Sequence, residues 1–83
     1  MTVTVRYFAA ARAAAGVESE AVAVPVGATV EILLKTVRAA HGDELARVLD
    51  HCSFLLDEVA VRDREAALHD GALVDVLPPF AGG

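Results

Sequence analysis

The stretch Gly27–Gly42, GATVEILLKTVRAAHG, decides the fold because it contains the most clearly patterned helix of the chain. Its apolar residues recur at positions i, i+3, i+4 and i+7, which places them on one face of a helix. Thr29 can cap the N-terminus of that helix, and Gly42 fits the position just after its last turn. The residues predicted to face inward are Val30, Leu33, Leu34 and Val37.

Two alternating segments, Thr2–Phe8 and Glu18–Val26, precede the helix and predict strands with one buried face. Ala9–Ala15 lies between them and predicts a short helical turn or loop, closed by Gly16. The connection is short, so the two strands should pair as an antiparallel hairpin. The residues expected to point inward are Val3, Val5 and Tyr7 in the first strand and Val22, Val24 and Val26 in the second.

After the helix, Asp43 is the predicted N-cap of a second, shorter helix. Short strand segments follow at Ser53–Leu56 and Val59–Val61, and the last strand covers Ala72–Leu77. The order β-β-α-β-β predicts an α+β roll of the β-grasp (ubiquitin-like) type, a mixed sheet with one main helix on one face. In that arrangement the last strand lies parallel to the first, and Phe8 lies near the point where the chain leaves the sheet.

Composition excludes several classes of function. The chain has 83 residues and a formal net charge of −5, which predicts one domain and argues against binding nucleic acid or anionic membranes. The negative net charge suits a partner with a basic docking face. The only cysteine, Cys52, permits no intrachain disulfide, and neither a signal peptide nor an apolar run of ~20 residues is present. We expect a cytoplasmic protein.

No residue pattern in the chain predicts an active site or a bound cofactor. The three histidines, His41, His51 and His69, lack metal-ligand spacing, and a single cysteine cannot build a zinc or iron–sulfur site. No glycine-rich phosphate loop is present. The acids of Asp57–Glu58 and of residues 63–65 are expected in turns and on the surface. Cys52, beside His51, is expected to be a buried structural cysteine.

The segment after the last strand, Pro78–Gly83, is the most distinctive part of the sequence. We divide the chain into a domain of residues 1–77 and an extended tail of residues 78–83. The two prolines fix φ and cannot donate a ladder hydrogen bond, and six extended residues reach roughly 20 Å. The remaining tail residues are Phe80, Ala81, Gly82 and Gly83. Such a slim segment can carry the Gly83 carboxylate into a narrow pocket, although a glycine pair alone is also typical of a frayed terminus.

Three stretches resemble the family of molybdopterin synthase small subunits, also called molybdopterin converting factor subunit 1. They are VTVRYFAAAR (3–12), LHDGALVDV (68–76) and LPPFAGG (77–83). The resemblance implies a non-catalytic sulfur carrier. It also implies that an activating enzyme of the ubiquitin-activating type uses ATP to adenylate Gly83 and that sulfur transfer makes a thiocarboxylate. By the same resemblance, we expect the large subunit, in a heterotetramer, to use this sulfur to form the molybdopterin dithiolene.

The same resemblance implies that Phe8, Arg12 and Phe80 contact a partner. Packing of Phe8 under the Ala9–Ala15 segment and solvation of Arg12 are the competing interpretations. The family often has Asn where this chain has Asp57. Three other functions stay open: a sulfur carrier for thiamine or cysteine synthesis, a non-reactive interaction module, and a ubiquitin-like modifier that forms isopeptide bonds.

Overall fold

Side chains from a five-stranded sheet and from three helices form one buried cluster in the computed structural model, which describes residues 1–79. The elements are β1 (Thr2–Tyr7), α1 (Ala9–Ala15), β2 (Ser19–Ala23), α2 (Val30–His41), α3 (Asp43–Leu49), β3 (Ser53–Leu56), β4 (Val59–Ala60) and β5 (Leu73–Leu77). The strands lie in the order β2-β1-β5-β3-β4. β1 and β5 are parallel, and the other neighbours are antiparallel. No helix of this part of the chain is long and apolar enough to cross a membrane.

Helix α2 forms as its sequence predicts. The Thr29 hydroxyl oxygen accepts a hydrogen bond from the Ile32 N–H (3.3 Å), and the φ of Gly42 after the helix is 92°. All four residues of the predicted stripe are buried. Burying an aliphatic side chain of this size contributes about 1.5–3 kcal/mol, so α2 is anchored to the sheet through this face.

The central pairing of β1 with β5 confirms the predicted β-grasp fold. Alternate residues of β1 are buried, and Val74 and Val76 of β5 are fully buried beside them. Val5 pairs with Val74, and Tyr7 pairs with Val76. Both strands therefore point toward the same end of the sheet, where β5 leads into Pro78 and Pro79.

The predicted second strand is too long. β2 ends at Ala23, and Val26, expected to point inward, is 89% exposed. The Ala28 N–H donates to the Pro25 carbonyl oxygen (3.1 Å), and Gly27 has a φ of 86°, so the chain turns here. A turn with positive φ at its third residue requires glycine there, and it leaves Val26 at the exposed corner.

Two boundaries also differ from the prediction. Asp43 is the first residue of α3 and caps nothing with its side chain, because Gly42 is the cap of both α2 and α3. A turn at Asp57 and Glu58, with φ of 48° and 69°, makes separate strands of β3 and β4. The sheet of residues 1–79 therefore has five strands, because the two segments predicted at Ser53–Leu56 and Val59–Val61 pair as an antiparallel hairpin, although the order β-β-α-β-β counts them as one.

Candidate functional site at the end of the last strand

The predicted tail is described only in part. Pro78 is half-buried and Pro79 is exposed, directly after β5 ends at Leu77. The predictions for Phe80, Ala81, Gly82 and Gly83 lie outside the described residues. The division into residues 1–77 and 78–83 stays a prediction, as does the role of Gly83.

The sheet fixes the point from which the tail departs. The Phe8 N–H donates to the Val76 carbonyl oxygen (3.2 Å), and on the other side Leu77 pairs with Ser53 of β3. The next two residues are prolines, which have no N–H to donate. β5 is therefore anchored up to Val76 on the side of β1 and up to Leu77 on the side of β3, and its pairing cannot continue in the same way beyond that residue.

Phe8 lies beside this departure point at the surface. Its side chain is 39% exposed, and the Arg6 guanidinium carbon is 5.8 Å from the centre of its ring. Phe8 also precedes α1 with an extended backbone, and Ala9 follows it with a φ of 50°. A positive φ is unfavourable for alanine, so this tight junction costs about 1–2 kcal/mol, which the surrounding packing must offset. A contact between Phe8 and a partner stays a prediction.

An apolar cavity of about 250 Å³ adjoins the base of the tail. It is lined by Ala10, Val48, His51, Pro78 and Pro79. The lining comes from α1, from the end of α3 and from the first tail residues. These segments meet at the tail base although they are far apart in sequence.

Arg12 of α1 forms an exposed ion pair with Glu18 (3.4 Å). Its side chain is 57% exposed and that of Glu18 is 75% exposed, so water screens most of their attraction. The guanidinium is therefore available to other groups at little cost. The predicted contact between Arg12 and a partner is neither supported nor opposed by this geometry.

Sequence reasoning missed an ion pair on the outer face of the sheet. Arg6 Nε lies 2.6 Å from Asp75 Oδ1, and Nη2 lies 2.9 Å from Oδ2. Asp75 is only 3% exposed, and its hydrogen bond raises the pKa of Arg6. Both residues belong to the polar phase of two strands predicted to be parallel neighbours. The opposite charges of these two residues, in the polar phase of neighbouring strands, could have indicated the ion pair.

A second missed cluster lies on the core side of the same strand end. The Tyr7 hydroxyl donates to Glu20 Oε2 (2.6 Å), and His41 Nε2 bonds to the same oxygen. The rings of Tyr7 and His41 are in edge contact at 5.9 Å. Burial, and then the bond to Glu20, raise the pKa of Tyr7, so this hydroxyl serves as a proton donor in a hydrogen bond.

The side chains of Cys52 and His69 already have structural partners. The Cys52 thiol donates to the Val48 carbonyl oxygen (3.1 Å), and burial raises its pKa, which disfavours the nucleophilic thiolate. His69 Nδ1 lies 2.9 Å from the Asp70 carbonyl oxygen, and Nε2 lies 2.6 Å from Asp57 Oδ2. With acceptors at both nitrogens, His69 has no free nitrogen to act as a base. Within residues 1–79, no group of three or more His, Cys, Asp or Glu side chains could hold a metal ion.

Comparisons with known proteins give one consistent result. The model of the ThiS family matches residues 5–83. The molybdopterin synthase sulfur carrier subunit of Chlamydomonas reinhardtii is 39% identical over 84 residues, with all of both chains covered.

Two solved structures have the same fold. SAMP1 of Haloferax volcanii, a small archaeal modifier protein, superposes with a TM-score of 0.89 at 27% identity, covering all of both chains. A Pyrococcus furiosus protein assigned as molybdopterin converting factor subunit 1 has a TM-score of 0.86 at 28% identity, covering 96% of this chain and 99% of its own.

Proposed function

Because this chain belongs to the ThiS family, we propose that it is the sulfur carrier of a molybdopterin synthase, with Gly83 as the group that carries the sulfur. The observation that carries the proposal is the 39% identity, over the whole length of both chains, to a molybdopterin synthase sulfur carrier subunit. The chain supplies a co-substrate, and the catalytic groups belong to its partners.

The chemistry follows from the C-terminal carboxylate. A carboxylate is a poor electrophile because it is ionised at neutral pH. An ATP-dependent activating enzyme adenylates Gly83, which makes a mixed anhydride and releases pyrophosphate. A sulfur donor then displaces AMP and leaves a thiocarboxylate. The ATP belongs to the activating enzyme, and this chain binds no cofactor.

The second partner is the large subunit of the synthase, in a heterotetramer. It accepts the thiocarboxylate and uses its sulfur to form the molybdopterin dithiolene. The end of β5 supports this assignment, since neighbouring segments hold the strand up to Val76 on one side and Leu77 on the other, and the prolines follow at once. Phe8 and Arg12, with Phe80 of the tail, are the proposed contact residues. The net charge of −5 favours a basic docking face. We place the carrier in the cytoplasm.

The test is the intact mass of the full chain after incubation with its activating enzyme, ATP and a sulfur source. We expect a gain equal to the exchange of one oxygen for sulfur, placed on Gly83 by fragmentation so that oxidation of Met1 is excluded. A variant lacking Gly83 is the matched control: it should melt at the same temperature and gain no sulfur. An unchanged mass of the full chain with a demonstrably active enzyme would contradict the proposal and favour a non-reactive interaction module.

The pathway is decided by the acceptor enzyme. Consumption of the thiocarboxylate by the large subunit of molybdopterin synthase would establish the proposed role. Consumption only by an enzyme of thiamine or cysteine synthesis would reassign the carrier to that pathway.

The similarity to SAMP1 favours a second candidate function, that of a protein modifier. A modifier uses the same activated carboxylate, but an amine of another protein replaces sulfur as the nucleophile. Isopeptide conjugates formed without a sulfur source would identify this activity.

A further inference from the structure

An activated C-terminus is an electrophile. The amines of the chain itself are nucleophiles that compete with the sulfur donor for it. The chain contains one lysine, Lys35, beside six arginines. Arginine is not deprotonated in proteins, so its guanidinium does not attack an acyl group. The amine nucleophiles of the sequence are therefore the Lys35 side chain and the Met1 α-amine.

Sequence alone favours Met1 in this competition. In peptides an α-amine titrates near ~8 and a lysine near ~10.4, so more of the α-amine is unprotonated near neutral pH. The structure works against this preference. The Met1 amine donates to the Val24 carbonyl oxygen (2.9 Å) in a partly buried position, and the Met1 side chain packs against the core. Attack by this amine would require Met1, just before β1, to give up this hydrogen bond.

The Lys35 side chain, in contrast to the Met1 amine, is exposed. It lies on α2, away from the buried stripe of that helix. The carboxylate one turn before it, Glu31, is paired with Arg64 Nη1 (3.7 Å). Arg38, one turn after it, is paired with Asp50 (3.3 Å). Within residues 1–79, no carboxylate lies within ion-pair distance of Lys35, so no such contact restrains its amine.

We propose that Lys35 is an acceptor site at which the activated C-terminus of a second copy of this chain forms an isopeptide bond. The Lys35 Nζ attacks the Gly83 carbonyl carbon, the bond from that carbon to the leaving group breaks, AMP departs, and the amine loses a proton. Because donor and acceptor groups are different, the product keeps one free Gly83 and one free Lys35 and can extend to longer chains. The site rests on the proposed function, which supplies the activated carboxylate.

The experiment avoids the activating enzyme. The full chain is made as a C-terminal thioester by thiol release from an intein fusion and is incubated alone at about pH 8. We expect a covalent dimer whose fragmentation joins Gly83 to Lys35. Lys35→Arg should lower the dimer yield by about tenfold or more, since its guanidinium stays protonated. An N-acetylated chain, with the Met1 amine blocked, should dimerise like the unmodified chain.

Three results would overturn the proposal: a bond to Met1, an unchanged yield in Lys35→Arg, or no dimer from a thioester that still reacts with an added small amine. An unchanged melting temperature of Lys35→Arg shows that its fold is intact. Because this assay uses neither ATP nor sulfur, its failure is independent of the thiocarboxylate test, and each proposal can fail alone.

Discussion

Strand β5 is held differently at its two ends. At its start, the Asp57 N–H donates to the Leu73 carbonyl oxygen (2.8 Å), and the Leu73 N–H donates to Asp57 Oδ1 (3.0 Å). The other oxygen of Asp57 bonds to His69, so the start of β5 is held by exposed, titratable side chains. At its end, Val76 is fully buried, its carbonyl oxygen accepts from the Phe8 N–H, and prolines follow.

This difference separates the strand, which supports stability at both ends, from the tail that follows it. The start of β5 closes the fold at a turn in which two non-glycine residues have positive φ. The end holds the last buried residue in place, and the next residues can leave the sheet. A change at the start should therefore affect stability and its pH dependence, and a change in the tail should affect activity alone.

The largest expected effect on stability is that of Val76→Ala, at the buried end of β5. Removing two methyl groups from a fully buried site should lower the free energy of unfolding by about 2–3 kcal/mol, measured by urea denaturation. Val59→Ala is the matched control, because Val59 is 68% exposed and the same chemical change should cost little there. Equal losses in the two variants would show that the end of β5 is not anchored by burial.

The second-largest effect on stability is expected from Tyr7→Phe, which changes a side chain on the core side of the sheet, beside the end of β5. The variant keeps the buried ring and loses the hydroxyl that donates to Glu20. We expect a loss of about 1 kcal/mol, the usual net value of such a bond. In a double-mutant cycle with Glu20→Gln, the two effects should not add. Additive losses would mean that the two side chains act independently.

A smaller effect, visible mainly in its pH dependence, is expected at the start of β5. Asp57 raises the pKa of His69 above its usual 6.5, and His69 together with the Leu73 N–H lowers that of Asp57 below 3.8. A raised histidine pKa stabilises the fold below pH 6.5 and stops doing so as pH rises through the folded-state value. A lowered aspartate pKa stabilises the fold above pH 3.8 and stops doing so as pH falls through the folded-state value.

The pair therefore stabilises the fold most between those limits. In melts that extend to pH values above this range, the melting temperature of the unmodified chain should fall more steeply above pH 6.5 than that of His69→Gln. Asp57→Asn should also flatten the profile. A profile of His69→Gln parallel to the unmodified one would contradict this account.

The smallest expected effect is that of Arg12→Gln, on α1. An exposed pair such as Arg12 with Glu18 contributes little, so stability should change by less than about 0.5 kcal/mol. If Arg12 contacts the large subunit, binding measured by titration calorimetry should weaken, while Arg62→Gln, a change at another exposed arginine, should bind as before. Equal binding of both variants would remove Arg12 from the proposed interface.

Much of the fold and part of the site could be predicted from the sequence. The stripe of α2 and its caps were predicted correctly, because a helical period and a capping threonine act over short distances. The pairing of β1 with β5 and the location of Phe8 near the departure point were also predicted. Val26 was placed wrongly because Pro25 and Gly27 make a turn, and turn chemistry outweighed a pattern of alternating valines.

The sequence by itself determined the β-grasp order of elements, the acidic charge and a single lysine, since each depends on residue types and short-range spacing. Tertiary structure alone decided which distant side chains meet. The register of β1 and β5 brings Asp75 to Arg6, and the turn after β3 brings Asp57 to His69. The Met1 amine is hydrogen-bonded because β1 pairs with β2. Such contacts join residues far apart in the chain, and only the pairing of the strands brings them within hydrogen-bond distance.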